Sequence, residues 1–198
     1  VKKKFIIATL VPLFVLSFVT ELSFSQLPCK SKTIKTESID PECAKVIKIT
    51  GWNLDTAEYF VFEARVRKVS VFEEILPIIS VETGNKYDFN LIHHNEDGTS
   101  DYGAFQINDV TYDFIIKQLK EESREFDSWD KLNPELNIAV GMYWVSHLKN
   151  NYGLKNDHLF TAYNMGVTGA MVFVNRNGNY RSGYAQKVET VKESFKDY

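Results

Sequence analysis

Cysteine is scarce in this chain. There are two, Cys29 and Cys43, in 198 residues, with no Cys-x-x-Cys pair and no histidine near either. Neither has the surroundings of a catalytic or redox thiol. A basic stripe is missing as well. The formal charge is −3 and lysines cluster only in the first residues, which argues against a nucleic-acid partner. Internal repeats and low-complexity tracts are absent. So are H-E-x-x-H, G-x-S-x-G and any phosphate loop, the local signatures of zinc peptidases, serine hydrolases and nucleotide enzymes. His93 and His94 are adjacent and cannot share a helix face, and His147 and His158 have no paired partner in sequence. Packing or surface roles suit them better than metal ligation, and the sequence asks for no metal and no cofactor.

What is present has ordinary globular composition, 44% apolar and 25% charged, enough for one domain with a sizeable core. The first residues look like an address. Lys2, Lys3 and Lys4 precede the apolar run FIIATLVPLFVLSFV, Phe5 to Val19, the layout of a secretory signal. The run is about fifteen residues, short of the ~20 that span a bilayer, and Pro12 disfavours a straight spanning helix. Residues 1–25 therefore read as a signal peptide, with an uncleaved N-terminal anchor as the alternative and no A-x-A site to fix a cut. The chain is expected to be exported, to a periplasm or cell envelope or beyond it. In an oxidising space Cys29 and Cys43 can pair, or both can stay as thiols.

Residues 26–54 read as a polar, irregular lead-in, and residues 55–198 as the folded domain. A helix is expected from Asp55 or Thr56 to about Lys68. An apolar one follows over Val71 to Thr83, closed by Gly84, with Pro77 either kinking it or marking its true start. Another runs from Asn108 or Asp109 to about Glu122. The clearest begins at Asn133-Pro134-Glu135, where an N-cap, an N1 proline and a first-turn acid coincide. Leu136, Val140, Tyr143, Trp144, His147 and Leu148 then recur at helical spacing up to Gly153. Shorter helices are expected from Asp157 to Asn164, stopped near Gly166, and from Gly183 to Phe195. The fold class is mainly α, with one polar, glycine-marked hairpin in its middle.

Two carboxylates stand out. Glu82 ends the apolar helix, in ILPIISVETG. There it meets the negative end of the dipole, and burial by its neighbours would raise its pKa toward that of a general acid at neutral pH. The plainer reading is a solvent-facing glutamate. Asp101 follows the turn Asn95-Glu96-Asp97-Gly98-Thr99-Ser100, and a hairpin would bring it back toward Glu82. Paired carboxylates across a cleft are the working parts of glycoside hydrolysis; the plainer reading is a turn-former. The same stretch fails as an EF-hand loop. Counted from Asn95 its sixth and twelfth residues are Ser100 and Gln106, and counted from Asp97 they are Tyr102 and Asn108, where glycine and glutamate are needed.

Taken in order, five segments resemble the lysozyme-like superfamily, and within it the soluble lytic transglycosylase (SLT) domain. They are Val81-Glu82-Thr83-Gly84-Asn85, Gly103-Ala104-Phe105-Gln106-Ile107-Asn108, the helix NPELNIAVGMYWVSHL, Ala162-Tyr163-Asn164-Met165-Gly166, and Tyr184 with Val188. The polar turn NEDGTSDYGAFQIN is similar to those of small exported transglycosylases that accompany secretion and conjugation machines, and to animal-type lysozymes.

The resemblance implies an α+β lysozyme-like fold whose hairpin forms one lip of a glycan cleft. It implies that Glu82 is the acid/base that cleaves the bond between N-acetylmuramic acid and N-acetylglucosamine and leaves a 1,6-anhydro end. It implies substrate-binding roles for Thr83, Gln106, Asn108, Tyr163, Asn164 and Tyr184, and peptidoglycan strands as the partner, with a secretion or envelope apparatus as a further one. Membrane contact is expected only through an uncleaved N-terminal segment. Thr83 stands where the family has serine, and Ala104-Phe105 where it has Leu-Met. Asp101 matches the second carboxylate of animal-type lysozymes, although their eight-cysteine framework is absent. A hydrolytic muramidase using Glu82 and Asp101 is thus the alternative, and a non-catalytic peptidoglycan-binding envelope protein a further one.

Overall fold

The computed structural model describes residues 39–196 and residue 198. The expected signal or anchor segment and Cys29, with its pairing to Cys43, lie outside the described residues. Among those residues no helix is long and apolar enough to cross a membrane.

Seven helices and one small sheet are described: α1 (Pro41–Thr50), α2 (Leu54–Arg67), a π-helical turn (Val71–Ile75), α3 (Leu76–Thr83), β1 (Ile92–His94), β2 (Ser100–Tyr102), β3 (Ile107–Asn108), α4 (Asp109–Glu121), α5 (Pro134–Tyr152), α6 (Asp157–Asn177) and α7 (Gly183–Ser194). The architecture is the mainly α, lysozyme-like one expected. The polar lead-in is a correction. Part of it is α1, capped by the Asp40 carboxylate on the Glu42 amide at 2.8 Å and started by Pro41. Its Cys43 and Val46 are buried, and Arg65 of α2 reaches Asp40 and Glu42 at 2.8 Å each. Ile47 and Ile49 pack half-buried beside Cys43 and Val46 against the core. α2 also begins earlier than expected, because Asn53, not Asp55 or Thr56, caps it through the Thr56 amide at 2.8 Å.

α5 is the central helix. Leu136, Ile138, Ala139, Val140, Met142, Val145 and Leu148 are all fully buried, so it is apolar around most of its circumference, as a helix enclosed by others must be. Its caps are those the sequence announces: the Asn133 side chain accepts from the Leu136 amide at 3.0 Å, and Gly153 closes it in the left-handed region. α2, α4 and α6 pack around it.

Pro77 marks a true start and not a kink. It has no N–H to offer the Glu73 carbonyl. The chain widens into the π turn instead, where the Leu76 N–H reaches Val71 O, and only then tightens into α3. α6 runs on past its expected end. Gly166 breaks it with φ 72° and ψ 165°, as the sequence indicates, but helical structure resumes to Asn177.

The three strands form an antiparallel sheet in the order β1-β2-β3. Asp97 makes the β1–β2 turn by accepting from the Thr99 amide and hydroxyl at 3.0 and 2.7 Å. The sheet is joined to α5 through close approaches. A methyl on Gly103 would sit 2.2 Å from the Asn137 amide, and one on Gly141 would sit 2.1 Å from the Phe105 ring. Asn137 is fully buried and donates to Tyr102 O at 3.1 Å.

Glu63 of α2 is fully buried and paired with Arg124 at 2.6 Å, and Arg124 also donates to the Tyr59 hydroxyl at 3.0 Å. Removing the cation leaves a carboxylate inside the core. Arg124→Met should therefore destabilise the fold by about 3–5 kcal/mol, read from the urea unfolding midpoint, while Glu63→Gln in the same background should restore a large part of it.

Candidate active site

α3 is a short apolar helix with Leu76, Pro77, Ile78, Ile79 and Ser80 all buried. Gly84 stops it at φ 59°, ψ 41°. Glu82 is therefore delivered at the helix end, partly buried, beside a cleft of about 300 Å³ lined also by Asp101, Gln106, Ile107, Asn108, Thr111, Trp144, Tyr163, Asn164 and Gly166. Burial pushes the Glu82 carboxyl from its ordinary 4.5 up to about 7. A hydrogen bond from the Tyr184 hydroxyl, 2.6 Å from Oε1, pulls the other way, and the nearby Asp101 charge adds to the rise. The other carboxyl oxygen takes no hydrogen bond from the described residues, so it is free to hold a proton toward the cleft.

The wall behind Glu82 comes from α6 and α7. Tyr163 is buried, and its hydroxyl donates to Phe105 O at 2.6 Å, which ties α6 to the loop before β3. Tyr163 and Tyr184 stack with centroids 6.4 Å apart and planes 12° apart. Both phenols have pKa values well above the ordinary one, through burial first and then the Glu82 carboxylate. They stay protonated, Tyr184 as a donor to Glu82. The two helices are held together by Thr161, buried, which donates to Tyr180 O and shares a 2.8 Å hydroxyl–hydroxyl hydrogen bond with Ser182 Oγ. Ser182 in turn caps α7 through the Ala185 amide at 3.1 Å. Asn164, next in sequence to Tyr163, is exposed at the cleft.

The opposite lip is the sheet. His93, Asp101 and Asn108 lie opposite one another across the three strands. The Asn108 amide donates to Asp101 Oδ1 at 3.0 Å and to Thr99 Oγ1 at 2.8 Å, while its oxygen caps α4 on the Val110 amide at 3.2 Å. Asp101 is thus both a cleft residue and part of the turn network. Gln106 holds a left-handed backbone at φ 45°. Its amide nitrogen donates to Gly103 O at 2.7 Å and Leu91 O at 3.2 Å. What remains to face the cleft is its carbonyl oxygen, an acceptor for a hydroxyl or an amide N–H.

The structure brings Glu82, Asp101, Gln106, Asn108, Tyr163 and Asn164 to one cleft. Tyr184 touches Glu82 directly but does not line that space. Thr83 is a correction. It is 4% exposed, its hydroxyl donates to Ile79 O at 2.8 Å, and it accepts from the Tyr87 amide at 3.0 Å. Its hydrogen-bonding capacity is spent inside the core, so it holds the turn after α3 and does not meet a ligand. Thr111 and Trp144 line the cleft without having been singled out for it. Trp144 reads in sequence as one more apolar position on α5, and only its place beside Tyr163 and Asn164 gives it another use. A larger open depression, about 440 Å³ over Trp52, Tyr87 and Phe89, contains none of the candidate site residues.

A family model described as Transglycosylase SLT domain matches residues 60–185, from α2 to the start of α7. Comparison with curated proteins and with solved structures finds no match.

Two outcomes follow from the Glu82 environment. In the unfolded chain Glu82 ionises near 4.5, and in the fold near 7. Below about pH 4.5 it is neutral in both states and folding carries no penalty. The penalty grows as pH rises and is complete above pH 7, at about 3 kcal/mol. Glu82→Gln should therefore stabilise the protein by up to that amount at pH 8 and by little at pH 4, measured as the difference in urea midpoints. Tyr184→Phe removes the one hydrogen bond that favours the ionised carboxyl. It should raise the Glu82 pKa by about one unit, seen as an upward displacement of the carboxyl titration by NMR.

Proposed function

The chain belongs to the transglycosylase SLT-domain family, whose activity is cleavage of peptidoglycan glycan, and from this we propose that it cleaves the β-1,4 bond between N-acetylmuramic acid and N-acetylglucosamine without adding water, leaving 1,6-anhydro ends, with Glu82 as the only acid/base. The observation that carries the proposal is a cleft-facing carboxyl with a pKa of about 7. One group must give a proton and then take one at the same pH, and that is easiest when both forms are populated.

In the proposed reaction the free oxygen of Glu82 protonates the glycosidic oxygen as the bond from the muramic C1 breaks. The resulting carboxylate then takes the proton of the same sugar's 6-hydroxyl as O6 bonds to C1. Glu82 ends as it began, and no water is consumed. Tyr184 positions the carboxyl through its other oxygen. The Gln106 carbonyl, the Asn164 amide and the Trp144 face offer the mixed polar and apolar contacts that an uncharged sugar chain needs. Export to the periplasm or envelope and removal of residues 1–25 belong to the same proposal, since the substrate lies outside the cytoplasm. Service to a secretion apparatus is its most specific form.

One observation favours a second reading. Asp101 lines the same cleft and lies close enough to raise the Glu82 pKa, as the second carboxylate of a retaining muramidase would. Against it, Asp101 is tied to Asn108 and serves the turn.

Mass spectrometry of digested peptidoglycan separates the two. Anhydro-muramyl ends are expected, and reducing ends alone would make the enzyme a hydrolase. Glu82→Gln should reduce turnover by at least about 10³-fold, whereas Asp101→Asn should retain activity within about tenfold. Equal losses would point to the muramidase, full activity in Glu82→Gln would mean a different acid, and no cleavage by the wild type would leave a glycan binder.

A further inference from the structure

α4 and α5 leave the cleft side by side. Thr111 and Trp144 form part of its wall. One turn further along each helix, on the same face, stand Phe114 and His147, whose ring centroids are 5.7 Å apart. His147 stacks on Trp144 at 5.6 Å with planes 15° apart, and on Tyr143 at 6.1 Å with planes 19° apart. Tyr152 meets it edge-on at 5.6 Å. Five aromatic rings therefore run without a break from the cleft wall to the end of α5.

The outer part of this surface is bare. Phe114 is 43% exposed, Tyr152 51%, and Val110, one turn before Phe114, 71%. The rings of Phe114, His147 and Tyr152 are not among those that build the core. Burial lowers the His147 pKa, so its ring is a neutral plate at neutral pH. The Asn151 amide, 2.9 Å from Nδ1, holds its orientation. A connected apolar surface of this kind on a soluble domain marks a binding site.

Continuity names the occupant. The shelf begins at Trp144, which is also cleft wall, so a polymer lying in the cleft and leaving on this side passes over Phe114, His147 and Tyr152. Pyranose rings present apolar C–H faces with hydroxyls at the edge, and aromatic planes with a few polar neighbours match them. The Arg67 guanidinium lies 4.8 Å over the Tyr143 ring but is already paired with Glu122, so it is not a free partner for an acidic peptide.

We propose that Phe114, His147 and Tyr152, continuing from Trp144, form an aromatic shelf that binds the glycan strand beyond the catalytic cleft and gives the enzyme a preference for long strands. This rests on the reading of the cleft as a glycan site. The test uses the full chain and the double variant Phe114→Ala with Tyr152→Ala, two exposed side chains. Peptidoglycan strands are separated by length, and kcat/KM for long strands is divided by kcat/KM for the shortest strand cleaved. The ratio should fall about tenfold in the variant. A ratio that does not change, with cleavage intact, overturns the shelf and leaves the proposed function standing. If the wild type cleaves no glycan, the proposed function fails by itself. Co-sedimentation with insoluble peptidoglycan then decides the shelf: weaker binding by the variant supports it, and equal binding overturns it. A dimer in the wild type that falls apart in the variant would assign the surface to a second copy of the chain and also overturn the proposal.

Discussion

A carboxyl group has to be kept nearly dry and yet reachable, and the rest of the domain is arranged around that demand. Glu82 sits at the wrong end of a helix for a negative charge, on an α3 that is buried along most of its length. Desolvation outweighs the hydrogen bond from Tyr184, as the net shift up to about 7 requires. Yet the bond caps how far the pKa climbs. Without it the group would stay protonated at neutral pH and could donate but not accept. The fold therefore balances two opposed effects on one atom pair. The second of them comes from a residue 102 positions away.

That distance explains why α6 and α7 are fastened as they are. Tyr184 can hold Glu82 only if α7 is fixed relative to α3, and α7 packs on both α3 and α6. Thr161 bridges the Ser182 cap and the Tyr180 carbonyl. Tyr163, two residues along α6, closes the circuit by donating to Phe105 O in the loop of the opposite lip. On that lip the Gly103–Asn137 and Gly141–Phe105 approaches leave no room for a side-chain carbon. The two sides of the cleft are thus registered to each other through α5, by side chains seated on glycines, contacts a slide of one residue would break.

Local chemistry was legible in the sequence wherever a cap or a breaker announced it. Asn133-Pro134, Gly84, Gly153 and the Asp97-Gly98 turn all do in the structure what their residue types predict. Features set by tertiary contact were not legible. α1 is polar over most of its surface and is held by Arg65 from α2. Helix resumes after Gly166 because the glycine turns the chain without ending it. Thr83 is the instructive miss at the site. Adjacent helical residues point about 100° apart. Thr83 falls on the stripe of Ile79 and Ser80, four and three residues before it, and that stripe faces the core. Its neighbour Glu82 faces the cleft. Motif likeness assigned both to the ligand, whereas helical phase separates them. The same phase in α5 already places Trp144 and His147 on one line in the sequence, but the Phe114 ring that joins them from α4 is a tertiary contact.

Dryness does a second service in the proposed chemistry. A glycosyl cation can be caught by water or by the sugar's own 6-hydroxyl, and both need a base in the same place. The enclosure that raises the Glu82 pKa also thins the water near the muramic C1, while the 6-hydroxyl is carried in by the substrate and needs no room of its own. In the proposed chemistry the desolvation that keeps the catalyst protonated would also favour the internal nucleophile. A retaining muramidase instead needs its second carboxylate free to attack the muramic C1 from the face opposite the leaving group, with water entering afterwards beside the acid/base. Asp101 spends one oxygen on Asn108, and Asn108 is itself committed to capping α4. To release Asp101 for such a role would loosen the first turn of α4, the helix that carries Thr111 and Phe114. The tether on Asp101 and the proposed line of the strand over α4 would for that reason be one design constraint.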